Sequence, residues 1–145
     1  RWLVPAAAVA VVALAVPTSI AWQQHERAVV AEQQAARLAD LLAEPGTQLV
    51  RADVEGGGTA VAVLASDTGL LVAEGLPAPG EGRTYQLWAM RDGVPVPAGL
   101  FAPTSGAVQV AAEDYEPGDG LAVSVEPEGG SDQPTTTPVV VLIPG

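Results

Sequence analysis

The 145-residue chain has no cysteine, no lysine and a single histidine, His25. Without cysteine it can form neither a disulfide nor a thiolate zinc site, and it has no cysteine nucleophile. A histidine-based catalytic triad would need His25, which lies beside Glu26 and Arg27 at the end of an apolar run. That position favours a solvated residue near a membrane surface. These absences argue against most common catalytic and zinc-dependent chemistries.

Positive charge is also scarce. Six arginines stand against 17 aspartates and glutamates, which gives a net charge of −11. Nucleic-acid binding needs a clustered basic face that neutralises phosphates. We therefore expect no direct contact with DNA or RNA.

The N-terminal segment contains a long uncharged run, Leu3–Ala21, bracketed by Trp2 and Trp22. On an α-helix the two tryptophans would lie about 30 Å apart, the thickness of the hydrocarbon core of a bilayer. Because tryptophan prefers the membrane–water interface, the pattern predicts a transmembrane helix over residues 1–22 with both tryptophans as anchors. The alternative is a cleaved signal peptide, since Ser19 and Ala21 are small residues with signal-peptidase spacing.

Residues 23–46 predict a juxtamembrane helical stalk. Gln23–Glu44 is rich in Ala, Gln, Glu, Arg and Leu and lacks glycine and proline, whereas Pro45-Gly46 ends the pattern. The modest apolar stripe of this helix consists of Val30, Leu38, Leu41 and Leu42. The stripe suits docking on the adjacent domain or a short coiled coil, although fewer than about three heptads are present.

Residues 47–145 change abruptly to a Gly-, Pro- and Val-rich sequence in which short apolar runs alternate with turn residues. About eight short strands at spacings near ten residues are typical of an antiparallel β-sandwich, and we expect an immunoglobulin-like one. The predicted strands are Thr47–Glu55, Thr59–Ser66, Gly69–Ala73, Arg83–Arg91, Ala98–Phe101, Ala107–Ala111, Gly120–Glu126 and Pro138–Ile143. The chain is therefore mainly β, preceded by helix.

Two of these strands carry more specific expectations. Arg83–Arg91 is long and aromatic enough to be central, and its alternation places Tyr85 and Trp88 on opposite faces. Of these two side chains, Tyr85 or Trp88 should find one polar partner. Val139–Ile143 has no alternation, which predicts a strand buried on both faces.

Polar residues that could support chemistry do not form a recognisable catalytic motif. Glu113, Asp114, Glu116 and Asp119 surround Tyr115, but their spacing does not fit the calcium-binding loop, and a solvated acidic loop is the simpler interpretation. No serine lies in a nucleophile-elbow setting, and the glycine-rich turn at Gly129-Gly130 lacks the lysine and helix of a phosphate-binding loop. We expect no enzyme activity, no metal and no cofactor.

Three segments in chain order resemble one family. They are Tyr85–Gly93, Pro97–Phe101 and Leu121–Thr135, and they contain a YQLW-x-x-x-DG run and an EP-x-GGS-x-x-PT loop. Together with the preceding apolar segment, they resemble the C-terminal domain of the anti-sigma-K factor RskA family. The motif residues, structural or recognition-related, are Tyr85, Gln86, Leu87, Trp88, Asp92, Gly93, Gly99, Glu126, Pro127, Gly129, Gly130, Ser131, Pro134 and Thr135. A pocket between Trp88 and the Glu126–Thr135 segment is one hypothesis for these motifs, and a purely architectural role is the other.

The resemblance implies the extracytoplasmic sensor part of a bacterial anti-sigma factor. Such a protein is single-pass in the cell membrane, with its N-terminus cytoplasmic and its C-terminal domain outside. Its expected partners are the lipid bilayer, an extracytoplasmic-function sigma factor held by a cytoplasmic N-terminal domain absent from this sequence, and membrane and site-1 type proteases that release the sigma factor. The alternative is a secreted β-sandwich binding module with a cleaved signal peptide.

Overall fold

A computed structural model describes residues 18–145. The chain divides into two compact units, residues 1–37 and residues 38–145. Of the first unit the structure describes only residues 18–37, which belong to a helix. The second contains the end of that helix and all the strands.

The helix α1 spans Thr18–Ala43, five residues earlier at its start than the stalk predicted from the sequence. It ends where predicted, at the Pro45-Gly46 turn, in which Gly46 has a φ of 92°. Within residues 18–145 no helix is both long and apolar enough to cross a membrane. Of the predicted transmembrane helix over residues 1–22, residues 1–17, including Trp2, lie outside the described residues, and Trp22 lies within α1.

Within residues 18–145, eight strands form two antiparallel four-stranded sheets, which agrees with the predicted antiparallel sandwich of about eight strands. The strands are β1 (Gln48–Asp53), β2 (Thr59–Leu64), β3 (Gly69–Glu74), β4 (Arg83–Arg91), β5 (Val94–Phe101), β6 (Val108–Ala111), β7 (Gly120–Pro127) and β8 (Val140–Leu142). One sheet has the order β1-β2-β3-β6 and the other has the order β5-β4-β7-β8. As expected, β4 is central, with β5 and β7 on either side of it.

The strand order corrects the immunoglobulin-like expectation. In that fold the second strand pairs with the fifth along the chain, whereas here β2 pairs with β1 and β3, its neighbours in sequence. Tight turns cause the difference. The backbone N–H of Val54 donates to Gly58 O across the first turn, and that of Ala65 donates to Thr68 O across the second. The three strands therefore form a simple meander.

The strand β8 also departs from its predicted environment. It lies at the edge of its sheet, paired only with β7, and its side chains alternate between buried and exposed. Val140 and Leu142 are buried, while Val141 remains 47% exposed and Ile143 51% exposed. The expectation of burial on both faces is therefore wrong, because an all-apolar sequence does not reveal which faces of a strand the rest of the fold covers.

The core lies between the two sheets and is filled by one face of each strand. From β4 it takes Tyr85, Leu87 and Ala89, as the alternation predicts. The opposite face of β4 carries Gln86 and Trp88, which are also buried although they lie outside the inter-sheet core. A second packed layer therefore covers the outer face of β4 and β7. This layer contains most of the motif residues.

Candidate functional site

Trp88 is the centre of the outer layer. Its side chain has no exposed surface, and it faces the small residue Ala122 directly across the β4–β7 pair. The indole N–H donates to Ser124 Oγ over 2.8 Å, which satisfies the only polar group of the ring. On the other face of β4, the Tyr85 hydroxyl donates to Pro77 O over 3.0 Å. The prediction that Tyr85 or Trp88 finds a polar partner is confirmed, and in the structure both residues do.

Glu126 follows Ser124 on the same face of β7 and is completely buried. Its carboxylate accepts hydrogen bonds from the hydroxyls of Ser124, Ser131 and Thr135. The backbone N–H of Thr135 also donates to both carboxylate oxygens, at 3.0 Å each. One buried carboxylate therefore binds β7 to two points of the following loop, which we call the β7–β8 loop (residues 128–139).

These contacts determine the charge state of Glu126. Burial opposes ionisation and raises its pKa, but the hydrogen bonds from Ser124, Thr135 and Ser131 act in the opposite direction and prevail. The net result is a pKa below the usual value for glutamate. A carboxylate that accepts several hydrogen bonds is stabilised in its charged form even without a cation. Glu126 is therefore a buried anion with its hydrogen-bonding capacity used internally.

A second attachment joins the β7–β8 loop to β4. The Gln86 side chain donates to Ser131 O and accepts from Ser131 N, both over 2.8 Å. The loop reaches this position through Gly129 and Gly130, which both have positive φ values. At Gly130 a Cβ atom would lie 2.9 Å from Leu100 Cδ2 and 3.0 Å from Gln86 Oε1. Glycine is favoured there by the backbone conformation, and an added Cβ would also displace the ends of the Leu100 and Gln86 side chains.

An open cleft of about 480 Å³ lies beside this attachment. Its lining consists of Gln86, Pro97, Gly99, Leu100, Glu113, Gly129, Gly130, Ser131 and Asp132. Trp88 does not line it, so the hypothesis of a pocket between Trp88 and the Glu126–Thr135 segment is corrected: the cleft is formed by the loop, Gln86 and β5. A β-bulge contributes to its shape, because Ala98 is an extra residue in β5 between the pairs Leu87↔Gly99 and Trp88↔Pro97.

The remaining motif residues serve other parts of the fold. Tyr85 and Leu87 face the core, where the Tyr85 ring stacks on Phe101 with centroids 5.5 Å apart. Asp92 and Gly93 both have positive φ, 51° and 81°, and connect β4 to β5, as an Asp-Gly hairpin turn does. Pro127 ends β7, and Pro134 precedes the Thr135 contact. The motif residues therefore do not form one cluster of exposed side chains.

The acidic segment contains an ion pair that the sequence pattern does not reveal. Arg91 donates to Asp119 at 3.0 Å and contacts Glu116 at 2.9 Å. Asp119 is only 3% exposed, so it is not the solvated carboxylate that we expected. Its hydrogen bond, with the charges of Asp119, Glu116 and Asp114, raises the pKa of Arg91. No local pattern in the sequence indicates this pair, because Arg91 and Asp119 are brought together by the β4–β7 pairing.

The polar residues do not form a recognisable reaction centre. The hydroxyls of Ser124, Ser131 and Thr135 are engaged with Glu126, and none is paired with a histidine. Within residues 18–145 no group of three or more His, Asp or Glu side chains is arranged to hold a metal ion. What the arrangement does chemically is to fix a glycine-rich loop on a sheet and to shape the adjacent cleft.

Comparisons with known proteins agree with the motif resemblance. Residues 2–139 match the family model described as anti-sigma-K factor rskA, C-terminal. The chain is 34% identical over 147 residues to the anti-sigma-K factor RskA of Mycobacterium sp. (strain KMS), covering 94% of this chain and 56% of that protein. It is 37% identical over 106 residues to the RskA of Mycobacterium ulcerans (strain Agy99), covering 70% of this chain and 45% of that protein.

A further relative is a Streptomyces griseus protein named "Uncharacterized protein in phr 5'region". It is 32% identical over 152 residues, covering 98% of this chain and 64% of that protein. The chain thus spans about half to two thirds of the length of these relatives. No solved structure matches. The chain belongs to the anti-sigma-K factor RskA family, and residues 2–139 correspond to the C-terminal region of that family.

Proposed function

We propose that this chain is the extracytoplasmic, regulatory part of a membrane-anchored anti-sigma factor. The observation that carries the proposal is the match to the family's C-terminal region over residues 2–139. The internal use of the motif side chains supports it, because Glu126 and Gln86 hold the fold together instead of presenting a reaction centre. The family is one of regulators, so the chain acts through binding rather than catalysis.

In this proposal the protein crosses the membrane once, with the helix over residues 1–22 as its anchor and its N-terminus in the cytoplasm. Its partner is an extracytoplasmic-function sigma factor, bound by a cytoplasmic domain N-terminal to this chain. The names of the mycobacterial relatives support the sigma-factor partner. The uncharged run Leu3–Ala21 with its two flanking tryptophans supports the anchor.

Release of the sigma factor would proceed by cleavage on the outer side of the membrane and then within it. The segment best suited to the first cut is Gln23–Gly58. The described side chains from Arg27 to Arg37 are all exposed, and exposed, weakly packed segments are preferred cleavage sites. Limited digestion of the chain should therefore cut in this segment first. A first cut within Arg83–Phe101 would contradict the proposal.

The experiment that tests the whole proposal is fractionation of the full-length gene product in its host. We expect the protein in the membrane fraction after a carbonate wash, with residues 1–22 retained and a sigma factor co-purifying. A matched control replaces four residues of the apolar run, Val9, Val11, Val12 and Leu14, with glutamine, which should abolish membrane retention. A soluble exported product that begins at Trp22 would overturn the proposal and indicate a secreted binding module.

A further inference from the structure

The cleft between β5 and the β7–β8 loop carries two carboxylates without partners. Glu113 and Asp132 line it, and both are exposed. Within residues 18–145 neither side chain takes part in a hydrogen bond or an ion pair. Arg91, by contrast, is committed to Glu116 and Asp119, and no arginine lines the cleft. The cleft is therefore an anionic site whose negative charge is not compensated internally.

The rest of the cleft is lined by apolar side chains and by exposed backbone. Leu100 is 46% exposed and forms one wall with Pro97, while Gly99, Gly129 and Gly130 leave the backbone accessible on two sides. The Gln86 side chain uses one donor and one acceptor on Ser131 and is only 3% exposed, so it mainly holds the lining in place. Glycines permit close approach of another backbone.

The position of the two carboxylates is fixed by the fold. The backbone N–H of Glu113 donates to Ala98 O over 2.9 Å, and Ala98 is the bulged residue of β5. Asp132 follows Ser131, which is bonded to Gln86. Both backbone positions are therefore anchored to the β4–β5 hairpin, and the cleft is preformed. Bulges commonly reorient residues in this way next to binding sites.

We propose that this cleft binds an extended polypeptide segment of a partner protein in which an arginine or lysine lies next to an apolar residue. The cation would pair with Glu113 and Asp132, and the apolar side chain would cover Leu100 and Pro97. The net charge of −11 attracts cationic partners and disfavours anionic ones. The volume suits a few side chains, but the cleft is too open to enclose a small molecule as binding cavities do, which favours an extended chain.

The test measures binding of synthetic hexapeptides to the isotope-labelled 145-residue chain by amide NMR. The probe is an acetylated, amidated peptide of sequence ALRLRA, compared with ALELEA and ASRSRA. We expect saturable shifts at the amides of Gly99, Leu100 and residues 129–132 with the first peptide, weaker shifts with ASRSRA, and none with ALELEA. The double variant Glu113→Gln/Asp132→Asn should bind ALRLRA about tenfold more weakly.

The matched control is Glu55→Gln/Glu81→Gln, which removes the same two charges from exposed positions outside the cleft. If this control weakens binding as much as the cleft variant, or if the shifts spread over the whole surface, the cleft is not the site. If arginine amide bound as tightly as ALRLRA, the ligand of the cleft would be a small cation and not a peptide. Self-association that the cleft variant abolishes would make a second copy the occupant. Either result overturns the proposal, and none of these outcomes depends on the sigma factor.

Discussion

The side chain of Gln86 and the backbone of Ser131 exchange two hydrogen bonds of 2.8 Å each. Gln86 lies on the central strand β4, and Ser131 lies in the β7–β8 loop, 45 residues later. The side-chain amide of Gln86 thus satisfies both the N–H and the C=O group of Ser131, a loop residue that has no strand partner. With Glu126, this pair fixes the most characteristic segment of the family to the surface that buries Trp88.

Replacement of Glu126 by glutamine should strongly destabilise the domain. The amide group would keep one acceptor oxygen but place an NH₂ group among the hydroxyl and N–H donors of Ser124, Ser131 and Thr135. We expect the free energy of unfolding to fall by about 1.5–3 kcal/mol, the range for hydrogen bonds to a charged group. Urea denaturation followed by circular dichroism measures it. The control is Glu128→Gln, an exposed glutamate two residues away, and an equal loss in both variants would contradict the structural role of Glu126.

The contribution of Glu126 should depend on pH. Its pKa in the folded state lies below the usual value, whereas in the unfolded chain it should be about 4.3. The folded protein therefore binds fewer protons, and the stabilisation is fully present above the unfolded pKa and lost as the pH falls through the folded pKa. The gap between the urea midpoints of the wild type and Glu126→Gln should begin to narrow as the pH falls below about 4.3 and should narrow further as it passes through the folded pKa. A gap that stays constant from neutral to acidic pH would show that ionisation of Glu126 contributes nothing.

Replacement of Ser124 by alanine should leave the indole N–H of Trp88 without an acceptor in a fully buried position. It also removes one donor to Glu126. We expect a loss of about 1–3 kcal/mol and faster exchange of the Trp88 indole proton with solvent, measured by NMR. Ser105→Ala, at an exposed serine, is the control. An unchanged exchange rate would indicate that the indole is protected by packing alone.

The two loop glycines allow backbone strain to be separated from steric contact. Gly129 and Gly130 have φ values of 98° and 82°, so alanine at either position costs about 1 kcal/mol or more in conformational strain. Only Gly130 would place its new Cβ against neighbouring atoms, Leu100 and Gln86. Gly130→Ala should therefore destabilise the domain more than Gly129→Ala in urea unfolding. Equal losses would mean that the loop can shift away from Gln86 without penalty.

The sequence alone predicted the strands, their approximate bounds and the opposite orientations of Tyr85 and Trp88. These features are local, because alternation along a strand and turn-forming residues between strands depend only on residues that are adjacent in the sequence. The Asp92-Gly93 turn is the clearest example, since both residues tolerate the positive φ that a tight hairpin needs. The family motifs could also be identified from the sequence, but the contacts of each motif residue could not be predicted from it.

The tertiary structure decided which strands pair and therefore which polar residues become buried. Asp119 and Glu126 look like ordinary surface carboxylates in the sequence, but Arg91 on β4 and Thr135 in the β7–β8 loop provide partners that make their burial tolerable. Val141 looks like a core residue but is exposed, whereas its neighbours Val140 and Leu142 on the same strand are buried. Burial depends on neighbours that are distant in sequence, so local patterns predict the elements of this fold but not the environment of their side chains.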